Sequence, residues 1–316
     1  MDYSSEAYED FISQPTWLHA VGTYVVTLVD LTNDIGRVLH PRGAVGVVVR
    51  QGMNPPDSYR VRFVDGYETW LREHEVMPIS SVSSREIDPA DTVDELFDRA
   101  ILRALTGSHA YRLADEQSKI EHRGVYLAKG TSYWSLFGVP EQIEKHVERE
   151  SYLELQRFMV MALKAQPPAL ECLFSPELET LTEAGEQLVA IRKSFLSKLV
   201  FNTYHEYVSA QFTRLFATLR RGRDVPWKRL MHLVRLLFSG VATLKEGEVL
   251  VDMTPYLDDL LPIRHGEIGL EEVDRMRLEL QRVFRYEFER TKLPDRPNYA
   301  EANKVLLHAR SLALKS

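Results

Sequence analysis

The sequence predicts an α+β chain, on three observations. Short alternating segments divided by turns fill the first quarter, a glycine-serine turn followed by a further strand lies in the middle, and helical periodicity dominates the C-terminal half. A length of 316 residues leaves room for two domains on a prior of roughly 100 to 200 residues each. The parts divide as an acidic tail 1–15, a strand-rich unit 16–84, a mixed core 85–180 and a helical region 181–316.

In the first unit Thr23 to Val29, Gly43 to Val49, Tyr59 to Val64, Thr69 to Leu71 and Val76 to Ile79 alternate like short strands. Pro41-Arg42-Gly43, Asn54-Pro55-Pro56-Asp57 and Asp65-Gly66 supply the turns between them. Five short strands within about 65 residues bury enough apolar surface only by closing on themselves, which predicts an SH3-like barrel. Such barrels bind peptides, bind nucleic acids or simply pack; the expectation here is packing or contact with a protein partner.

Ser80 to Ser84 is a polar joint, so a boundary is expected near residue 85. Val93, Leu96, Phe97, Ile101 and Leu102 give Asp88 to Ala104 helical spacing. Helices are also expected over Ser151 to Lys164, Glu183 to Arg220, Trp227 to Lys245 and Leu270 to Thr291. Ser151 and Glu154 read as a capping box for the first of these, and its Leu155, Phe158, Met159 and Leu163 stripe as core.

The formal charge is −7, so nucleic acid contact has to be argued locally. Cys172 is the single cysteine and sits in an apolar run, as a buried thiol would. The N-terminal segment lacks a basic-then-apolar leader, and no apolar run approaches the roughly 18 residues of a membrane span. A cytoplasmic protein without membrane contact is expected.

The chemistry concentrates in Leu105-Thr106-Gly107-Ser108-His109-Ala110-Tyr111 and Ser118-Lys119-Ile120-Glu121-His122-Arg123-Gly124. A Gly107-Ser108 turn opening a helix offers backbone amides to a phosphate. On a following strand, residues 119 and 121 would share one face while Ile120 entered the core.

These residues resemble the DNA polymerase beta-type nucleotidyltransferase superfamily, whose motif is a Gly-Ser turn followed by an Asp-x-Asp strand. The chain is most similar to a bacterial branch of predicted nucleotidyltransferases reading Gly-Ser-x-x-Tyr-Gly-Leu-Ala and then Ser-Asp-x-Asp-x-Arg-Gly. Trp134-Ser135-Leu136-Phe137-Gly138, Glu141 to Glu144, Leu163 to Pro167, Leu170 to Pro176, His232 to Leu237 and Leu293 to Tyr299 extend the likeness. The resemblance implies a mixed sheet of that type in the core.

It further implies a nucleoside triphosphate ligand, Mg²⁺ or Mn²⁺, and transfer of a nucleoside monophosphate to an RNA end, tRNA included, or to a protein hydroxyl. Against the motif, Lys119 stands at the first catalytic aspartate, Glu121 at the second, and Arg112 at a glycine of the turn. Arg149 falls at the third carboxylate, flanked by Glu148 and Glu150. A lysine cannot ligate Mg²⁺, though it can meet a phosphate.

Three readings follow. The site is a degenerate nucleotide or RNA binding module, with Gly107, Ser108, Arg112, Lys119 and Arg123 gripping phosphate. Alternatively it is an active transferase with Glu121 as the catalytic carboxylate and Glu121, Glu148 and Glu150 as metal ligands. The last reading is a structural subunit of a larger assembly.

Two secondary features stand apart. Arg220 to Arg229 holds five cations, Arg220, Arg221, Arg223, Lys228 and Arg229, against one acid, as a nucleic acid contact or a solvated inter-helix loop would. Lys228, His232 and Arg235 form a polar stripe opposite an apolar face. The resemblance places that helix beside the nucleotide cleft; the alternative is an ordinary wet face. His109 and His122 are expected to make local hydrogen bonds, with no zinc spacing around them.

Overall fold

The computed structural model describes residues 19, 21–33, 36–51, 58–79, 93–135, 138–145, 147–219 and 224–314. The Asn54 to Asp57 turn, the Ser80 to Ser84 joint, the boundary near residue 85, Leu136-Phe137 and the arginines at 220, 221 and 223 lie outside them.

The first unit contains β1 (Tyr24–Thr27), β2 (Leu31–Thr32), β3 (Val38–His40), β4 (Val45–Gln51), β5 (Ser58–Phe63), β6 (Glu68–Arg72) and β7 (Val76–Pro78). Five of them form an antiparallel sheet in the order β6-β5-β4-β1-β7, matching the five strands expected from alternation. The small β2-β3 hairpin was not among them. Tyr59, Val61 and Phe63 point into a core with Val25, Val48, Leu71 and Val76, so Arg60 and Arg62 take the opposite face.

The second unit begins with α1 (Val93–Asp98) and continues through β8 (Ala100–Thr106), α2 (Gly107–Ala110), β9 (Glu121–Tyr126), β10 (Gln142–Lys145), β11 (Glu150–Glu154), α3 (Leu155–Leu163), α4 (Pro167–Leu173) and β12 (Leu178–Leu181). The sheet order is β10-β11-β9-β8-β12; β11 and β9 run parallel and the other pairs antiparallel.

Two expected helices are corrected here. Ile101 and Leu102 belong to β8, paired between β9 and β12; consecutive apolar side chains there are buried on both faces of the sheet, which erases the strand alternation. Ser151 to Glu154 pairs with β9 as β11, so the helix starts only at Leu155. Glu154 itself caps it, its Oε2 accepting from the amides of Gln156 at 2.7 Å and Arg157 at 3.1 Å.

The remainder is helical: α5 (Glu183–Ala190), α6 (Leu199–Leu219), α7 (Trp227–Glu246), α8 (Leu257–His265), α9 (Leu270–Arg290) and α10 (Tyr299–Ala313). The expected Glu183 to Arg220 helix is two, separated by a 3-10 turn at Arg192–Phe195. α7 is the hub, packed by α6, α8 and α9, and it is buried over most of its length. One apolar core joins the inner face of the mixed sheet, through Leu102, Ala104 and Val125, to α3, α4 and these helices. Among the described residues no helix is long and apolar enough to cross a membrane.

Candidate phosphate-binding site

β8 ends at Thr106, whose hydroxyl donates to the Glu121 carbonyl at 3.2 Å. The chain then turns at Gly107, with φ of +69°, a left-handed conformation that glycine adopts without steric cost. A methyl group there would lie 2.8 Å from Glu121 Oε2, so the carboxylate rests directly against the glycine backbone. His109 Nε2 donates to the Ser118 carbonyl at 3.0 Å and ties α2 to the chain entering β9, as local bonding predicts.

Lys119 is exposed at the start of this end of the sheet. Ile120, expected in the core, is 56% exposed. The physical reason is register: β8 offers its last partner at Thr106 opposite Glu121, so residues 119 and 120 precede the paired strand.

Arg149 arrives from the neighbouring parallel strand. Its carbonyl accepts from the His122 amide at 3.1 Å, and its Nη1 lies 3.3 Å from Glu121 Oε1. Position 149 is itself left-handed, at φ of +56°. Where the resemblance implies a third carboxylate, the structure therefore holds a guanidinium paired with Glu121.

Glu148 is exposed, and Glu150 sits opposite His122, on the face of the sheet away from Glu121. There Glu150 pairs with Arg103 and accepts from the Tyr152 hydroxyl at 3.4 Å. Glu179 completes that cluster, 3.3 Å from Arg103 Nη1 and 2.9 Å from His122 Nε2. Among the described residues no three histidines, cysteines or acids gather closely enough to hold a metal ion. As arranged, Glu121, Glu148 and Glu150 do not fit a divalent cation.

Arg112 carries φ of +59°, which accounts for the glycine that the resemblance implies there. Its guanidinium leans away on Glu177 at 2.9 Å and Asp252 at 3.2 Å. Arg123 is half-buried beneath the site, and its carbonyl accepts from the Cys172 thiol at 3.8 Å. Cys172 is buried as expected, and burial pushes its pKa up to about 12.

The wet-face alternative for the stripe on α7 does not hold at two of its three residues. His232 is buried, and Arg235 is 0% exposed. Arg235 Nη1 donates to Glu171 Oε1 at 2.9 Å, and the Tyr111 hydroxyl donates to Glu171 Oε2 at 2.5 Å. The guanidinium also lies 3.9 Å from the Tyr111 ring centre. Tyr111 directly follows α2, so this network buttresses the Gly107 turn from below. Glu171 and Tyr111 were absent from the expected site, although both lie in segments that carry the resemblance; a lone acid between apolar neighbours on α4 was the available signal. Burial, and secondarily Arg235, hold the His232 pKa well below its usual value.

Of the basic segment, Arg229 donates to Gln211 on α6 and Lys228 is half-buried at the start of α7. A separate cavity of about 600 Å³, lined by Tyr133, Trp134, Glu154, Gln156, Arg157 and Arg310, opens at the other end of β11.

No curated protein and no solved structure matches the chain. The model of the family described as RlaP, RNA repair pathway DNA polymerase beta family, matches residues 79–308. The Gly107-Ser108 turn, the mixed sheet behind it and the helices that close on it all lie within that span, and the chain belongs to this RNA repair pathway DNA polymerase beta family.

Proposed function

We propose that the protein is a non-catalytic nucleotide or RNA binding member of its family, which grips phosphate with fixed cations in place of metal. The observation that carries the reading is the Arg149–Glu121 pair, 3.3 Å long, beside the exposed Lys119. Two cations stand where clustered carboxylates would hold the metal ions that neutralise a triphosphate. A guanidinium and an ammonium meet phosphate oxygens directly, through charge-assisted hydrogen bonds.

In this reading Gly107 and Ser108 allow close approach of the phosphate, Lys119 meets it from solvent, and Arg149 rotates toward it from Glu121. Arg123, half-buried below, adds to the local potential. Arg112, His232 and Arg235 support the turn; the two guanidiniums are already directed at Asp252, Glu177 and Glu171, and the imidazole is enclosed in the core. The N-terminal sheet is read as an SH3-like barrel appended to this core.

The test is equilibrium binding of a fluorescent nucleoside triphosphate in EDTA and in Mg²⁺. The expected result is the same affinity in both, weakened about tenfold or more by Lys119→Glu, as loss of one charge-assisted contact implies. Binding that requires Mg²⁺, with label passing from an α-labelled nucleotide to RNA or protein only while Glu121 is intact, would establish an active transferase instead. No binding under either condition would leave a structural subunit.

A further inference from the structure

The N-terminal sheet presents a basic and aromatic surface that the core site does not use. β5 turns Tyr59, Val61 and Phe63 inward, which commits Arg60 and Arg62 to the outer face. Register then places Arg50 of β4 opposite Arg60, Arg60 opposite Trp70 of β6, and Ser58 opposite Arg72. Arg50, Arg62, Trp70 and Arg72 are exposed, Trp70 at 46%.

Among the described residues of these three strands the acid is Glu68, which lies 2.8 Å from Arg60 Nε and 2.6 Å from Arg62 Nε. It orients both guanidiniums while neutralising one of four positive charges. In a chain of formal charge −7, this leaves an excess of cations around one exposed indole on rigid strands. Neighbouring strands lie about 4.8 Å apart, so Arg50, Arg60 and Trp70 span about 10 Å in a row.

We propose that the outer face of β4, β5 and β6 binds single-stranded RNA, with Arg50, Arg62 and Arg72 on phosphates and Trp70 stacked on a base. Cations beside an exposed aromatic ring on a sheet are the arrangement that meets an unpaired polynucleotide, whose charge is periodic and whose bases each offer a flat face. A folded acidic protein would use the charge and leave the indole in water. RNA as the partner rests on the reading of the core given above; the surface and its test do not involve the core residues.

The experiment uses the full chain and a fluorescein-labelled 12-nucleotide polyuridine, titrated at several salt concentrations. Arg50→Glu with Arg62→Glu should weaken binding tenfold or more and reduce the salt slope by about 1 to 2, since each phosphate neutralised on a single strand contributes about 0.7. Trp70→Ala should weaken binding about tenfold with the slope retained. Should a variant fail to fold, 4-thiouridine crosslinking of the unaltered protein decides, with crosslinks expected within 58–72.

Unchanged affinity and slope in folded variants, crosslinks confined elsewhere, or equal binding of a polyglutamate peptide would each overturn the proposal. Nucleoside triphosphate affinity measured on the same variants separates the two readings. If it persists while RNA binding never involves 58–72, the surface proposal fails alone; if it is absent while crosslinks fall there, the core reading fails alone.

Discussion

Arg149 Nη1 lies 3.3 Å from Glu121 Oε1, joining two parallel strands at the point where the Gly107 turn meets the sheet. If that cation, with Lys119, is what keeps metal away, then removing both should create a site. Lys119→Asp combined with Arg149→Asp places three carboxylates around Gly107, and aspartate tolerates the left-handed backbone at 149 better than most residues. Calorimetry should find no Mn²⁺ binding by the unaltered chain and a dissociation constant on the order of 10⁻³ M or tighter in the double variant. Equal affinity in both proteins would mean that the Glu121 carboxylate already ligates metal.

Gly124 answers a different constraint. A Cβ at this position would lie 2.5 Å from the Leu102 carbonyl and 2.8 Å from the Tyr152 ring, in the middle of a sheet that cannot open locally. Gly124→Ala should therefore lower unfolding free energy by roughly 2 kcal/mol or more, in the range of overpacking. Urea denaturation should show the midpoint falling with the slope preserved.

Much of this architecture is visible in the sequence for a physical reason. Leu270 to Arg290 and Trp227 to Glu246 carry long periodic stripes, and length alone separates them from strands. The strands of the first unit have one wet face, so Tyr59, Val61 and Phe63 alternate with Arg60 and Arg62. β8 was concealed because its apolar side chains are buried on both faces, which removes the alternation, and β11 because it runs directly into the helix that Glu154 caps. In the site, the Gly107 turn and Glu121 were legible because their spacing is local. The Arg149 pairing was legible only as a position, and the Glu171 network not at all, because both depend on contacts between segments 28 and 64 residues apart.

In the interior Glu171 accepts from Arg235 and from the Tyr111 hydroxyl. Removing it with Glu171→Ala leaves a fully buried guanidinium without its carboxylate, which costs about 3 to 5 kcal/mol. Tyr111→Phe removes only the hydroxyl, at about 1.5 to 3 kcal/mol for a bond to a charged acceptor. The ring that Arg235 covers is retained. Chemical denaturation of both variants should rank them in that order; a Glu171→Ala protein as stable as the parent would show that the pair is not closed in solution.

His232 makes the core sensitive to acid. Its imidazole is enclosed on α7, with the Tyr111 ring at 6.0 Å and positive charge from Arg235, Lys228 and Arg264 around it. Burial first, and then those cations, depress its folded pKa well below the ordinary 6.5. As pH falls below 6.5 the unfolded chain takes up a proton that the folded chain refuses, so stability is full above that value and is lost toward acid. His205, also depressed mainly by burial, acts in the same direction. Asp115, held at about 2 first by the Ser118 hydroxyl, adds to the loss only below 3.8. Between pH 6.5 and 5 the unfolding free energy should fall by up to about 1.4 kcal/mol per unit for His232. His232→Asn should flatten that part of the profile, whatever it does to stability at pH 8. A slope identical in parent and variant, measured by urea midpoints across the range, would mean that His232 takes up its proton in the folded state.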